Sequence, residues 1–169
     1  KILFVKVPED KKDNKGTEPL RDDGLMQRAI KHTKKYYPDL FVMSDVALDP
    51  YSSYGHDGIV KDNEIVNDVS AELLANIALS HACAGVDMVA PSDMMDGRID
   101  LIRKKLDQNG YENTGIMAYS VKYASSFYGP FRDAVDSAPG FGNKKTYQMD
   151  PANSQEALVE ARMDLQEGA

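Results

Sequence analysis

One lysine stands out for its setting. The run Gly115-Ile-Met-Ala-Tyr-Ser-Val-Lys122 is mostly apolar and ends on an amine. A turn, Phe127-Tyr128-Gly129-Pro130, follows, and then Arg132. A lysine that attacks a carbonyl must release its proton. Burial and a nearby cation both disfavour the ammonium form. Lys122 is therefore suited to amine chemistry on a carbonyl, and Arg132 is the cation expected to help it. The plainer alternative is a lysine that snorkels from a strand end into water.

Three further groups carry polar chemistry. Asp45-Val-Ala47-Leu-Asp49-Pro50 leads into His56-Asp57-Gly58, a stretch whose glycines, proline and serines otherwise mark turns. Ala90-Pro-Ser92-Asp93-Met-Met-Asp96-Gly97-Arg98 follows another apolar run. There Asp96 reads first as a helix cap. Lys144-Lys145 and Gln148 lie beyond a glycine-rich loop, and such a lysine pair is ordinarily a solvated one.

The elements that must position these residues alternate. Apolar runs at 2–7, 40–46, 86–90 and 115–121 read as strands. Helical spacing appears over 25–37, over 69–84 with Asp68 as N-cap, and from Ile99 through Leu106. A last helix opens at Asn153 with Glu156 in a capping box, and Leu158, Ala161 and Leu165 form its apolar face. Phe131–Val135 suggests a helical turn, and the charged stretch 9–24 a long, mobile loop. Cys83 reads as a small core residue.

Near-continuous apolar strands alternating with helices imply parallel βα units in one α/β domain. Asp45, Asp49, Ser92, Asp93 and Lys122 all follow or close strands, on the face that carries the chemistry of a (β/α)8 barrel or of an open sheet.

The 169 residues are 42% hydrophobic and carry a net charge of -7. That balance argues against nucleic-acid or anionic-membrane binding. No apolar run approaches a membrane span of about 18 residues. One cysteine excludes an internal disulfide framework. A cytoplasmic protein is the expectation.

The stretch Ser120-Val-Lys122-Tyr-Ala-Ser-Ser-Phe-Tyr-Gly-Pro-Phe-Arg132-Asp-Ala134 resembles porphobilinogen synthase (5-aminolevulinate dehydratase), and the two aspartate-bearing stretches support the likeness. The resemblance implies a TIM (β/α)8 barrel. These residues, 1–169, would form its central four strands, without the first strand and the C-terminal ones. It implies a lyase that condenses two 5-aminolevulinate molecules into porphobilinogen, on the route to heme and other porphyrins. Lys122 would be one of two Schiff-base lysines, the second falling in a motif this chain lacks.

By the same resemblance Arg132, Lys144 and Gln148 would hold a substrate carboxylate, and Ser92, Asp93 and Tyr128 would contact substrate. Zinc-dependent members carry cysteines at the positions of Ala47, Asp49 and Asp57. The chain thus resembles the zinc-independent, aspartate-rich branch, and no catalytic zinc is expected. Glu167 matches a glutamate that binds a regulatory magnesium at a subunit interface. The intact family protein is expected to be a homo-octamer. A class I aldolase-like enzyme and an inactive assembly module are the rival readings. Four strands would leave two sheet edges for another chain to pair with.

Overall fold

The computed structural model describes residues 1–130, 140 and 142–169. The expected helical turn at 131–135, and Arg132 within it, lie outside the described residues.

Four short strands form one parallel sheet. They are β1 (Ile2–Leu3), β2 (Met43–Val46), β5 (Met88–Pro91) and β6 (Gly115–Ile116), in the spatial order β1-β2-β5-β6. Ile2 pairs with Met43, Ser44 with Val89, and Val89 with Ile116. Helix α1 (Leu25–Tyr36) joins β1 to β2, α2 (Asn67–Cys83) joins β2 to β5, and α3 (Arg98–Gln108) joins β5 to β6. Helix α4 (Ser154–Glu167) follows and packs on α3. No helix among the described residues is long and apolar enough to cross a membrane.

The strands are shorter than the apolar runs that signal them. Beyond Leu3 the chain leaves the sheet toward Pro8. Leu40 bonds back to Tyr37, and the Val42 amide donates to the Asp87 carboxylate rather than to a strand. On the other side β6 continues as loose pairing, with Met117 N donating to Val89 O (2.9 Å) and Tyr119 N to Pro91 O (3.2 Å). This pairing carries the chain from β6 to Lys122.

The core lies between the sheet and α1–α3. Val42, Val46, Val89, Ile30, Leu74, Ile77, Ile99, Ile102 and Leu106 are fully buried, each such side chain contributing about 1.5–3 kcal/mol on leaving water. Helix α2 is buried on most of its surface because it touches the sheet, α1 and α3 together. Its residue His81 is buried, with Nδ1 2.9 Å from Ser44 Oγ of β2, and burial lowers its proton affinity to a pKa of about 3.

Several local expectations are corrected. The loop expected over 47–60 gives way at its end to structure: β3 (Ile59–Lys61) and β4 (Glu64–Val66) form an antiparallel hairpin. Asp62 (φ 53°) and Asn63 (φ 62°) make its turn, in the left-handed region that these residue types tolerate best after glycine. Stretch 9–24 is tied down. Asn14 donates to Val60 O (2.7 Å) and accepts from Val60 N (3.0 Å), so its amide mimics a strand neighbour of the hairpin. Gln27 of α1 donates to Pro19 O and to Ser80 of α2.

Neither expected acidic cap forms. Helix α2 starts at Asn67, ahead of Asp68, and no side chain caps it. The Asp96 backbone is held by the Asn67 side chain, so Gly97 at φ 70° stands before α3. The α4 cap does form, with Asn153 Oδ1 accepting from Glu156 N (3.3 Å). Its buried face is Ala157 and Asp164, however, while Leu158 and Leu165 (68%) are exposed. Cys83 is exposed at the end of α2.

Candidate active site

The strand ends gather the acidic residues and the lysine around a cavity of about 240 Å³. Asp45 closes β2, and Asp49 and Pro50 lie in the turn beyond it. Ser92 follows β5, and Tyr119 and Lys122 follow β6. Phe4, Val5 and Tyr128 complete a mostly apolar wall.

Lys122 points inward, its side chain 11% exposed. Its ammonium donates to the Ser92 carbonyl. It lies 3.8 Å from the Asp57 carboxylate and 5.8 Å from the centre of the Tyr128 ring. Burial works to lower its proton affinity, but Asp57 and then Asp49 outweigh it and hold Lys122 above its ordinary value. The expectation of a lysine stripped of its proton is thus reversed: among the described residues its charged neighbours are carboxylates.

Lys144 has the opposite fate from a solvated lysine. It is 3% exposed, with its ammonium 3.1 Å from Asp49 and 3.2 Å from Asp57. Burial and the neighbouring Asp57 charge raise Asp49. For Asp57, burial acts in the same upward sense, but Lys122 and Lys144 overcome it and keep the carboxyl below its ordinary value. Among the described residues Asp45 has no such ion pair. Burial, despite a hydrogen bond with Ser92, raises its carboxyl to about 7.

Segment 144–149 is fixed beside the lysine strand. Met149 N donates to Lys122 O (3.0 Å) and Ala124 N to Met149 O (2.8 Å). Tyr147 meets His56, with its hydroxyl 3.0 Å from His56 Nδ1, and accepts from Asp57 N (3.3 Å). Gln148 is buried but lines a separate groove of about 950 Å³ between the hairpin, this segment and the start of α4.

Asp93 does not line the small cavity. It is fully buried, 3.3 Å from Arg98 Nε. Burial raises its carboxyl to about 6 although Arg98 opposes this. Glu167 accepts from Asp100 N (3.3 Å), which makes it a cap that α4 supplies to the first turn of α3.

Among the described residues no three His, Cys, Asp or Glu side chains converge as a metal cage. Ala47 offers no ligand, and the Asp49 and Asp57 carboxylates already share an ammonium, so this donor set does not fit zinc. The pairings of Arg98, Tyr147 and Lys144 escaped the sequence reading. The one available signal was an arginine placed directly after Asp96-Gly97, inside a motif already singled out.

Lys122 is thus a buried amine among carboxylates at the C-terminal ends of parallel strands, the face on which parallel α/β folds gather their functional residues. The family model described as delta-aminolevulinic acid dehydratase matches residues 1–169. The chain belongs to that family.

Delta-aminolevulinic acid dehydratase 1, chloroplastic, of Arabidopsis thaliana is 59% identical over 169 residues, covering 99% of this chain and 39% of the relative. The Bacillus subtilis delta-aminolevulinic acid dehydratase is 52% identical over 168 residues, covering 99% of this chain and 52% of the relative. The crystal structure of the Toxoplasma gondii ME49 enzyme in complex with its product porphobilinogen superposes with a TM-score of 0.97 at 54% identity, over 99% of this chain and 49% of that one. The four parallel strands and their helices are therefore part of a TIM barrel, and the chain spans about half or less of the relatives it matches.

Proposed function

We propose that these residues are the part of a porphobilinogen synthase that carries one of its two imine-forming lysines. The observation that carries this reading is Lys122, whose amine lines the small apolar cavity beside Asp45 and Ser92.

The first step follows from the site. Lys122 is held protonated, so it must pass a proton to a neighbouring carboxylate before it attacks; Asp57, 3.8 Å away, stands nearest, and Asp45 also lines the cavity. The freed lone pair attacks the ketone of 5-aminolevulinate to give a carbinolamine. The same carboxylate then returns a proton to the departing hydroxyl. Water leaves, and a C=N bond replaces the C=O bond. Tyr128 and Ser92 flank the bound chain of the substrate. Arg132 takes its carboxylate, and Lys144 trades one aspartate for that carboxylate as substrate enters, while Gln148 faces the neighbouring groove. Asp93 supports the Ser92 turn.

Incubation with 5-aminolevulinate and borohydride, followed by intact-mass and peptide analysis, tests this reading. The expected gain is one substrate molecule less one oxygen atom, located at Lys122. A trapped adduct elsewhere, or none at all, overturns the assignment. These residues by themselves are expected to form one imine and no porphobilinogen, because the condensation uses a second lysine.

Membership in the zinc-independent branch belongs to the same proposal, supported by the carboxylates and shared ammonium at the Ala47/Asp49/Asp57 positions. Zinc at one equivalent that disappears with Asp49→Ala and Asp57→Ala, measured by elemental analysis, would refute it. A regulatory magnesium at Glu167 and assembly of the whole protein into an octamer are further parts, tested by light scattering with and without the ion. The compartment is either the cytoplasm, favoured by composition, or a plastid, favoured by the names of relatives such as that of Arabidopsis thaliana, and fractionation distinguishes them.

A further inference from the structure

We propose that Arg98 is a positioning residue for Lys122, clamping the turn after β5 to the backbone that runs into the lysine. The proposal rests on the reading of Lys122 as the imine-forming residue.

The clamp closes a ring of contacts. Lys122 donates to the Ser92 carbonyl. The next residue, Asp93, accepts from Met95 N (2.8 Å) and pairs with Arg98 Nε (3.3 Å). Arg98 Nη1 reaches Met95 O (3.4 Å), and Nη2 reaches Tyr119 O (3.5 Å). Tyr119 leads directly into Ser120-Val121-Lys122. One guanidinium thus holds both chain segments whose separation sets the distance between the lysine and its carbonyl acceptor. A second tie runs from Nη1 to Asp164 Oδ1 (3.4 Å) on α4 and does not belong to this ring.

Arg98 is buried, and it is not among the residues lining the small cavity. It therefore acts through the backbone rather than on substrate. Only a planar fork with several donors spans these acceptors at once. A lysine keeps the charge beside Asp93 and Asp164 but cannot reach all four groups. When the turn loosens, the amine loses the Ser92 carbonyl and moves away from Asp57. The groups that face the amine are Asp45 from β2, Asp49 and Asp57 from the loop beyond it, and Tyr119 and Tyr128 from its own side of the cavity.

Competitive acetylation with acetic anhydride across the alkaline range, read by peptide mass spectrometry, measures each lysine's reactivity against pH. In Arg98→Lys, Lys122 is expected to acetylate about threefold faster at a given pH, equivalent to a profile moved about half a unit lower. The exposed Lys145 in the same digest should keep its profile, whereas Lys144 shares Asp57 with Lys122 and is no control. Asp164→Asn cuts only the α4 tie and should leave Lys122 unchanged. Circular dichroism and urea midpoints establish that each variant is folded.

A folded Arg98→Lys protein with the original Lys122 profile overturns the proposal. So does an Asp164→Asn protein in which Lys122 moves as far. Where Arg98→Lys does not fold, Asp93→Asn severs the same charge tie at constant shape and carries the same two outcomes. If the profiles move as expected while the unaltered chain traps no imine, the positioning role stands and the imine reading fails.

Discussion

The ammonium of Lys144 lies 3.1 Å from the carboxylate of Asp49, and both groups are buried. Asp57 completes the cluster at 3.2 Å. Lys144→Met would leave Asp49 without its ammonium and Asp57 with Lys122 alone, both in a buried site. Removing one partner of a buried pair costs about 3–5 kcal/mol. The urea midpoint of this variant should fall accordingly near pH 7. Adding Asp49→Asn and Asp57→Asn should recover much of the loss. A Lys144→Met protein as stable as the parent would mean that the cluster contributes nothing.

Asp45 links stability to pH. Its carboxyl rises from 3.8 to about 7 on folding, so between those values the folded chain binds the extra proton. Stability from this group is fully present below pH 3.8 and is lost as pH rises through about 7, by up to about 1.4 kcal/mol per pH unit. Asp93 acts in the same sense up to about 6. His81 opposes them: its value falls from 6.5 to about 3, so its contribution is lost as pH drops. Urea titrations at several pH values should find the stability of Asp45→Asn, relative to the parent, rising between pH 4 and 7. A flat difference contradicts a buried, protonated Asp45.

Asp57 keeps Lys122 charged. Trapping of the imine at Lys122 should therefore increase with pH. In Asp57→Asn the same curve should move to lower pH, provided the variant is folded by circular dichroism. Coincident curves would mean that Asp57 does not govern the lysine's proton.

Asn63 holds φ at 62° in the hairpin turn. A β-branched side chain there meets the left-handed penalty of about 1–2 kcal/mol. Asn63→Val should lower the thermal midpoint by several degrees, while Asn63→Gly should not lower it. Equal midpoints for the valine and glycine variants would refute the turn geometry.

Much of the fold was legible because apolar runs and helical spacing survive in any context. The runs containing Val42, Val89 and Ile116 all supply sheet strands, and α3 buries the expected Ile99, Ile102 and Leu106, whereas α1 buries Met26 and Ile30 of its apolar spacing but leaves Leu25 and Tyr37 exposed. Asp45, Asp49, Ser92 and Lys122 were legible as a group because they close or follow those strands. What escaped depends on partners remote in sequence. Nothing local distinguishes Lys144 from Lys145, yet one is buried between aspartates and the other is exposed. Asp68 and Asp96 have cap chemistry, but Asn67 and the Asp96 backbone satisfy each other first. The charge on Lys122 was misjudged because Asp57 meets it only after the chain has folded.

The tie between Asn14 and Val60, and that between Lys144 and Asp49, bear on the order in which the molecule assembles. The β2–α2–β5 unit closes over modest loops, whereas Lys144 must return across 95 residues to meet Asp49. Contacts between distant residues repay their closure entropy late. Refolding is therefore expected to build the hydrophobic layer around α2 before the cavity acquires its charges. Leu74→Ala should slow refolding, whereas Lys144→Met should chiefly speed unfolding. In stopped-flow experiments the reverse pattern would indicate that the ionic cluster helps to nucleate the fold.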